Sequence, residues 1–330
     1  IYSYLVLAFF FSIVMSVILS NNPIQGIDRI GSNIHFLVAP FVAYGIYKSN
    51  VDLKHILFVI KLSIIFATLY AIYVNSASRL EIGSDSPTIF GFIMVFFGFT
   101  IIIDVWNQGK KEQLFSIFIF FLAMYCVVLS GTRISWVMFV ALFFSAMLIW
   151  FIRGHLTKKR LLLILIALAV VMAFSTNNKQ FNEKIKYAVT AIKTSSADKD
   201  VLGSVGLRLL MWSSGFEAFK EKPIIGYGYQ NTGLEASRYT PVRYKAYMKS
   251  QKMLHNDYVN SLVGFGILGL LVLMVLLFLP LALFFKQLKA DKECARSAIG
   301  VLFIVALSVF AITDSIYSHS VMRSFFVFFL

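Results

Sequence analysis

Charged residues are scarce in this 330-residue chain: 14%, against roughly a quarter in a soluble domain. Cysteine is scarcer, with two residues, Cys126 inside an apolar run and Cys294 in a short basic connection. They fall at different levels of the chain's span pattern, so no disulfide is expected and no redox compartment follows. No Walker A loop and no dinucleotide fingerprint is present, which argues against nucleotide chemistry. Gly-x-Ser-x-Gly is also missing, and with it a hydrolase elbow. The five histidines are scattered and no pair of carboxylates has metal-site spacing, so neither a metal nor another cofactor is expected. Alternating strand patterns are lacking too, which excludes a membrane barrel.

What is abundant is apolar sequence. Hydrophobic residues make up 59% of the chain and the mean hydropathy is +0.79. They come in blocks about one span long, at about 1–19, 33–47, 56–74, 87–106, 114–130, 134–152, 161–174, 258–285, 298–313 and 320–330. In lipid only a helical bundle satisfies the backbone of such blocks, so the expected fold is all-α: a polytopic transmembrane bundle of about ten spans. The division is 1–174 for the N-terminal part of the bundle, 175–254 for a long polar loop containing helices, and 255–330 for the C-terminal part. The chain opens at Ile1 and closes inside an apolar run, and is read as part of a longer protein with further N-terminal spans.

The net charge of +14 would suggest nucleic acid in a soluble protein, but here topology accounts for much of it and no nucleic-acid partner is expected. One set of connections holds Lys48, Lys54, Lys110, Lys111, Arg153, Lys158, Lys159, Arg160, Lys286, Lys289, Lys292 and Arg296; the other short connections hold only Arg29, Arg79, Arg133 and Arg323. The positive-inside rule puts the first set in the cytoplasm. The loop 175–254 then lies on the opposite face. Its thirteen Lys and Arg against six Asp and Glu make it a surface for anionic partners. Within it, Leu207 to Lys220 is expected to be a helix, its stripe of Leu209, Trp212, Phe216 and Phe219 resting on the bundle or in the membrane interface. Pro223 should end that helix and Gly226-Tyr227-Gly228 should turn.

The polar residues on this outer face carry the candidate chemistry. Arg133, in Ser130-Gly131-Thr132-Arg133 between two spans, reads either as an interfacial arginine on lipid phosphate or as a bidentate phosphate clamp. Arg208 follows Gly203-Ser204-Val205-Gly206 at a helix entry that favours anions, and otherwise reads as a solvated helix arginine. Arg79 is either a ligand residue or the partner of Glu81 or Asp85. His255 opens the span after the loop. It is either a proton acceptor near neutral pH or a helix-start histidine partnered by Asn256 or Asp257. Arg238, Arg243, Lys245, Lys249 and Lys252 form either a phosphate-docking surface or a solvated basic stretch. Charge is nearly absent from the middle of the blocks, which weighs against a transporter for a lipid-linked glycan.

Three of these motifs, in order, resemble the O-antigen ligase family of bacterial inner membranes: Ser130-Gly131-Thr132-Arg133; Gly206-Leu207-Arg208 running to Lys222-Pro223 and Gly226-Tyr227-Gly228; and His255-Asn256 followed by Gly266 and Gly269. Asp314 also matches a family position. The resemblance spans about 75–315. It implies a GT-C-like bundle of twelve spans in full, with its active site facing the periplasm. It also implies metal-independent, inverting transfer of an undecaprenyl-pyrophosphate-linked O-antigen onto a lipid A–core hydroxyl. Arg133 and Arg208 would stabilise the pyrophosphate and His255 would act as base. Arg79, Asn256, Arg238, Arg243 and Lys249 would bind substrate, with membrane lipids as further partners. The superfamily also holds O-antigen polymerases and protein O-oligosaccharyltransferases, so the acceptor stays open.

Overall fold

The computed structural model describes residues 2–20, 23–49, 51–74, 80, 82, 86–162, 164 and 203–329. Among them the fold is all-α, with no strand. Seven helices are long and apolar enough to cross a membrane: Gly26–Ser49, Leu53–Val74, Pro87–Asn107, Lys110–Ser130, Arg133–Ile152, Asp257–Ala290 and Ala295–Thr313. They match seven of the ten expected blocks. Among the described residues the first block forms α1 (Tyr2–Ile18), an apolar helix of 17 residues, and the last forms a ten-residue helix, Ser320–Phe329. The block at 161–174 lies almost wholly outside the described residues.

Local chemistry sets the helix ends. In α5 (Pro87–Ile102) the Ser86 hydroxyl accepts the amide of Ile89 at 3.3 Å, and Pro87 starts the helix where no amide donor is needed. The helix α6 (Lys110–Ser130) stops at Gly131, which takes the left-handed conformation at φ 60°. Thr132 is extended, and α7 (Arg133–Ile152) begins at once. This sharp reversal packs on Gly91, where a side chain would collide with the hydroxyls of Ser130, Thr132 and Ser135. Those hydroxyls satisfy one another, with Thr132 Oγ1 2.6 Å from Ser135 Oγ.

The spans are glued by aromatic side chains. Phe92 and Phe96 of α5 meet Phe310 and Phe303 of α12 (Ala295–Thr313) at ring separations of 5.1 and 5.2 Å, and Phe325 and Phe329 close the cluster. These are the most enclosed helices of the bundle.

The four lysine- and arginine-rich connections meet at one end of the bundle. Arg296 donates to the carbonyl of Val51 at 2.8 Å, Asn107 to Glu293 at 2.5 Å, and Arg153 to Asp104 at 3.0 Å. The basic residues read from the sequence as one set therefore share one surface. The loop 203–254 and the starts of α7 and α11 (Asp257–Ala290) occupy the opposite end, here called the outer end.

Two features seat the loop there. The first is α8 (Ser204–Glu221), which packs on the bundle through a face other than its apolar stripe. Gly206, Met211, Ser214, Gly215 and Ala218 are buried, whereas Leu209 and Phe216 of the apolar stripe are 37% and 48% exposed. Close approach explains the exchange: a side chain at Gly215 would meet Val259 and Leu254 at 2.7 and 2.8 Å, so small residues face the bundle and large ones are displaced outward. Only Trp212 of the stripe is anchored inward, its indole N–H donating to the carbonyl of Leu254 at 3.1 Å.

The second feature is a break inside α11. Gly266 has φ 68° and ψ −159°, which interrupts the helical hydrogen-bond ladder. The segment 222–228 fills the break. The amides of Tyr227 and Gly228 donate to the carbonyls of Val263 and Gly264, each at 2.9 Å, and the amide of Ile267 donates to the carbonyl of Pro223 at 2.8 Å. Gly226, itself at φ 64°, lies against that backbone, where a side chain would be 2.6 Å from the carbonyl oxygen of Val263. The sequence elements Gly226-Tyr227-Gly228 and Gly266 are thus two halves of one contact.

Candidate active site

The site is built around a strained residue. His255 has φ 47°, the only positive value among the described non-glycine residues. Both neighbours are pinned. The buried Leu254 donates its amide to Asn260 Oδ1 at 2.8 Å, and Asn256 caps α11, its side chain accepting the amide of Val259 at 3.0 Å. Strain of this kind persists where the surroundings over-determine the backbone, and it clusters at functional sites. Asn256, expected to bind substrate, therefore has a capping role that the sequence reading did not give it.

The partner of His255 is neither Asn256 nor Asp257. Its Nδ1 lies 3.3 Å from Oδ1 of Asp314, 59 residues further on. Asp314 ends α12, with its backbone extended, so its carboxylate turns back toward the start of α11. The same oxygen accepts the amide of Ser315 at 2.9 Å and faces Nε2 of His319 at 3.4 Å. Burial pushes the Asp314 carboxyl up, but the hydrogen bonds and charges of the two imidazoles outweigh it and hold the group well below the usual carboxylate range. An ionised Asp314 accepts a hydrogen bond from His255 Nδ1–H. That leaves Nε2 as the basic nitrogen on a side chain 27% exposed.

Asp257 serves a different purpose. It is 1% exposed; one oxygen accepts Ser315 Oγ at 2.5 Å and the other the amide of Ile316 at 2.7 Å. Because the Ser315 hydrogen goes to Asp257, Tyr229 and Ser318 donate to Ser315 Oγ, at 3.2 and 3.0 Å. This network holds the turn carrying Asp314 and His319 against α11, and through Tyr229 against the loop. Sequence reasoning missed His319, Ser315 and Tyr229. The one local signal was an aspartate and a histidine five residues apart at the outer end of an apolar block.

The arginines lie at the same end. Arg133 opens α7, which packs on α12; the two helices start at opposite ends of the bundle, so Arg133 is level with Asp314. The first half of α8 runs alongside the first turns of α11, Trp212 meeting Leu254 and Gly215 meeting Val259. Arg208 lies one turn before Trp212 on α8, which packs along α11 at this end. Arg208 is half-buried and enters no hydrogen bond or ion pair among the described residues. Arg79 lies outside the described residues.

The basic stretch divides. Arg238 pairs with Glu235 at 3.0 Å, and this guanidinium offsets part of the burial that raises the Glu235 carboxyl. Arg243, Lys245 and Lys249 project from α10 (Val242–Ser250) into solvent, with Arg243 4.8 Å over the ring of Tyr244. Among the described residues no group of three His, Cys, Asp or Glu is disposed to hold a metal ion.

The sequence profile of the family described as O-Antigen ligase matches residues 118–274 of this chain. The match runs from α6 through Arg133, Arg208 and His255 to the break in α11. A protein of Haemophilus influenzae described as uncharacterized is 26% identical over 334 residues, covering 95% of this chain and 80% of its own.

Proposed function

We propose, on the match of residues 118–274 to the O-antigen ligase family, that the chain is a member of it and transfers an O-antigen glycan from undecaprenyl pyrophosphate to a sugar hydroxyl of lipid A–core. Its family and its spans make it a multi-pass membrane enzyme of the ligase and polymerase type. The proposed setting is the inner membrane, with the site on the periplasmic face. The observation that carries the proposal is the His255–Asp314 pair, a partly exposed imidazole hydrogen-bonded to a buried carboxylate at the outer end.

In the proposed reaction the acceptor hydroxyl approaches Nε2 of His255, which takes its proton as the oxygen attacks C1 of the donor sugar. The bond from C1 to the pyrophosphate oxygen breaks, inverting the anomeric centre. The electron pair leaves on undecaprenyl pyrophosphate, where the guanidiniums of Arg133 and Arg208 stabilise it. Asp314 fixes the tautomer of His255 and stabilises the imidazolium that forms, as the carboxylate does in an Asp–His pair of a hydrolase. Arg79, Arg243 and Lys249 are proposed to meet phosphates of donor and acceptor.

Two sets of variants test these roles in proteoliposomes. Arg133→Ala and Arg208→Ala should each slow transfer about 10²–10³-fold, and lysine should restore only part of it, lacking the bidentate fork. Wild-type rates in both alanine variants would remove the arginines from the reaction. Asp314→Asn should slow transfer by at least about 10²-fold, because the amide can favour the wrong tautomer of His255.

Asp314→Asn also has a pH signature. The folded carboxyl titrates below its unfolded value of about 4, so its pairing stabilises the protein above that range and the stabilisation is lost as pH falls through it. Acid unfolding of Asp314→Asn should therefore be less steep with pH below about 4 than that of the wild type. Identical acid profiles would show that Asp314 is not held ionised by the two histidines.

A further inference from the structure

The first ten residues of α11 are enclosed by protein. Asp257 to Gly266 are buried apart from the half-buried Tyr258, whereas Ile267, Leu268 and Leu271 turn outward and are 40, 53 and 54% exposed. The segment has 34 residues in two helical parts joined at the break, more than the about 20 that a hydrocarbon core of about 30 Å needs. Lys286 and Lys289 mark its basic end, and about 20 residues counted back from Phe285 reach Gly266. The break at Gly266 thus coincides with the change from enclosed to lipid-facing surface and with the level at which the hydrocarbon ends.

Pro223, Ile224 and Ile225 are fastened at that level. The hydrogen bond from Ile267 to Pro223 and those from Tyr227 and Gly228 to Val263 and Gly264 leave them no freedom to fold inward. Yet Ile224 is 63% and Ile225 49% exposed, and Phe216 of α8 adds another outward ring. Lys220, paired with the exposed Glu217 at 2.6 Å, and Lys222, its Nζ 4.7 Å from the ring centre of Tyr227, flank this tip. An apolar tip continuous with the lipid-facing wall of a span and bordered by lysines has the chemistry of an interfacial anchor.

We propose that Pro223-Ile224-Ile225, with Phe216, enters the acyl-chain boundary of the outer leaflet and ties the 203–254 unit to the bilayer. Its partner is phospholipid. The isoleucines take the acyl chains, and Lys220 and Lys222 face head-group phosphates. The anchor is independent of the catalytic roles assigned to His255 and the arginines. It fixes the height of the loop, and so of α8 and Arg208, relative to the membrane surface.

Nitroxide labels test it directly. Ile224→Cys and Ile225→Cys would be made separately with Cys126→Ala and Cys294→Ser, labelled, and placed in nanodiscs of phosphatidylethanolamine and phosphatidylglycerol. Power saturation would compare oxygen with a water-soluble nickel chelate. Both labels should be several-fold more accessible to oxygen than to the chelate, matching a label at Leu271, whereas a label at Lys249 should show the reverse. A pattern like that of Lys249 would overturn the proposal. Protection from both relaxants would also overturn it, because another protein surface would then cover the tip. A second reading keeps the native cysteines: the added emission of Ile225→Trp should be quenched by brominated phosphatidylcholine, and its persistence would contradict insertion.

Discussion

His255→Ala is expected to slow glycan transfer by about 10²–10⁴-fold, the range that a positioned general base supplies. The fold should survive. The His255 ring is 27% exposed, and the neighbouring contacts of Leu254 and Asn256 use the Leu254 backbone and the Asn256 side chain, which the substitution keeps. The backbone at φ 47° favours glycine over any other replacement, so His255→Gly should be at least as stable as His255→Ala and equally slow. Unfolding temperature and single-turnover transfer, measured on the same preparations, separate the two effects. Added imidazole should recover part of the rate in the glycine variant, because it fills the space with the missing base. A rate within a few-fold of wild type in a folded His255→Ala protein would remove the base assignment.

Gly266→Ala should cost the second-largest loss, in stability first and in activity as its consequence. At φ 68° and ψ −159° the backbone lies in a region that essentially only glycine occupies, and an L side chain there costs about 1–3 kcal/mol. The new Cβ would also overlap the carbonyl of Ile224, which belongs to backbone and cannot swing aside. Relief requires the segment 222–228 to lift off α11. That puts at risk three hydrogen bonds, each worth about 0.5–1.5 kcal/mol. A total of about 3 kcal/mol or more should appear as a clear fall in the unfolding temperature, with faster proteolysis between Lys220 and Tyr229. Gly226→Ala attacks the same contact from the other side and should resemble it. Wild-type melting for both would show that the break in α11 does not depend on the loop. Gly31 is the control: no atom lies within 4 Å of a side chain there, so Gly31→Ala should leave stability near wild type.

Much of the bundle was legible because membrane physics is local. Apolar runs give spans, and the lysines at their ends give a common surface, which Arg296–Val51 and Asn107–Glu293 later joined. The candidate site, whose roles are proposals, was legible in part. His255, Arg208 and Arg133 stood out as polar residues at apolar boundaries. The partner of His255 was not legible, because Asp314 is 59 residues away and only the packing of α11 on α12 joins them. His319 was invisible for the same reason. The stripe on α8 left the bundle and the membrane interface both open, because hydrophobic spacing marks an apolar face without saying whether protein or lipid covers it, and the glycines that pack on the bundle carry no hydrophobic signal. Gly226 and Gly266 were noticed as motif residues, yet their mutual contact becomes apparent only when the break in α11 exposes the carbonyls of Val263 and Gly264.

The most direct measurement is the identity of the product. Purified protein in liposomes would be given undecaprenyl-pyrophosphate glycan and lipid A–core in the presence of EDTA, and the products separated by gel and mass. Lipid A–core bearing the intact glycan, with inverted anomeric configuration and absent in His255→Ala, is the expected result. Lengthened donor chains with lipid A–core untouched would contradict it and make the chain a polymerase; no product without added divalent metal would contradict the arginine-based chemistry.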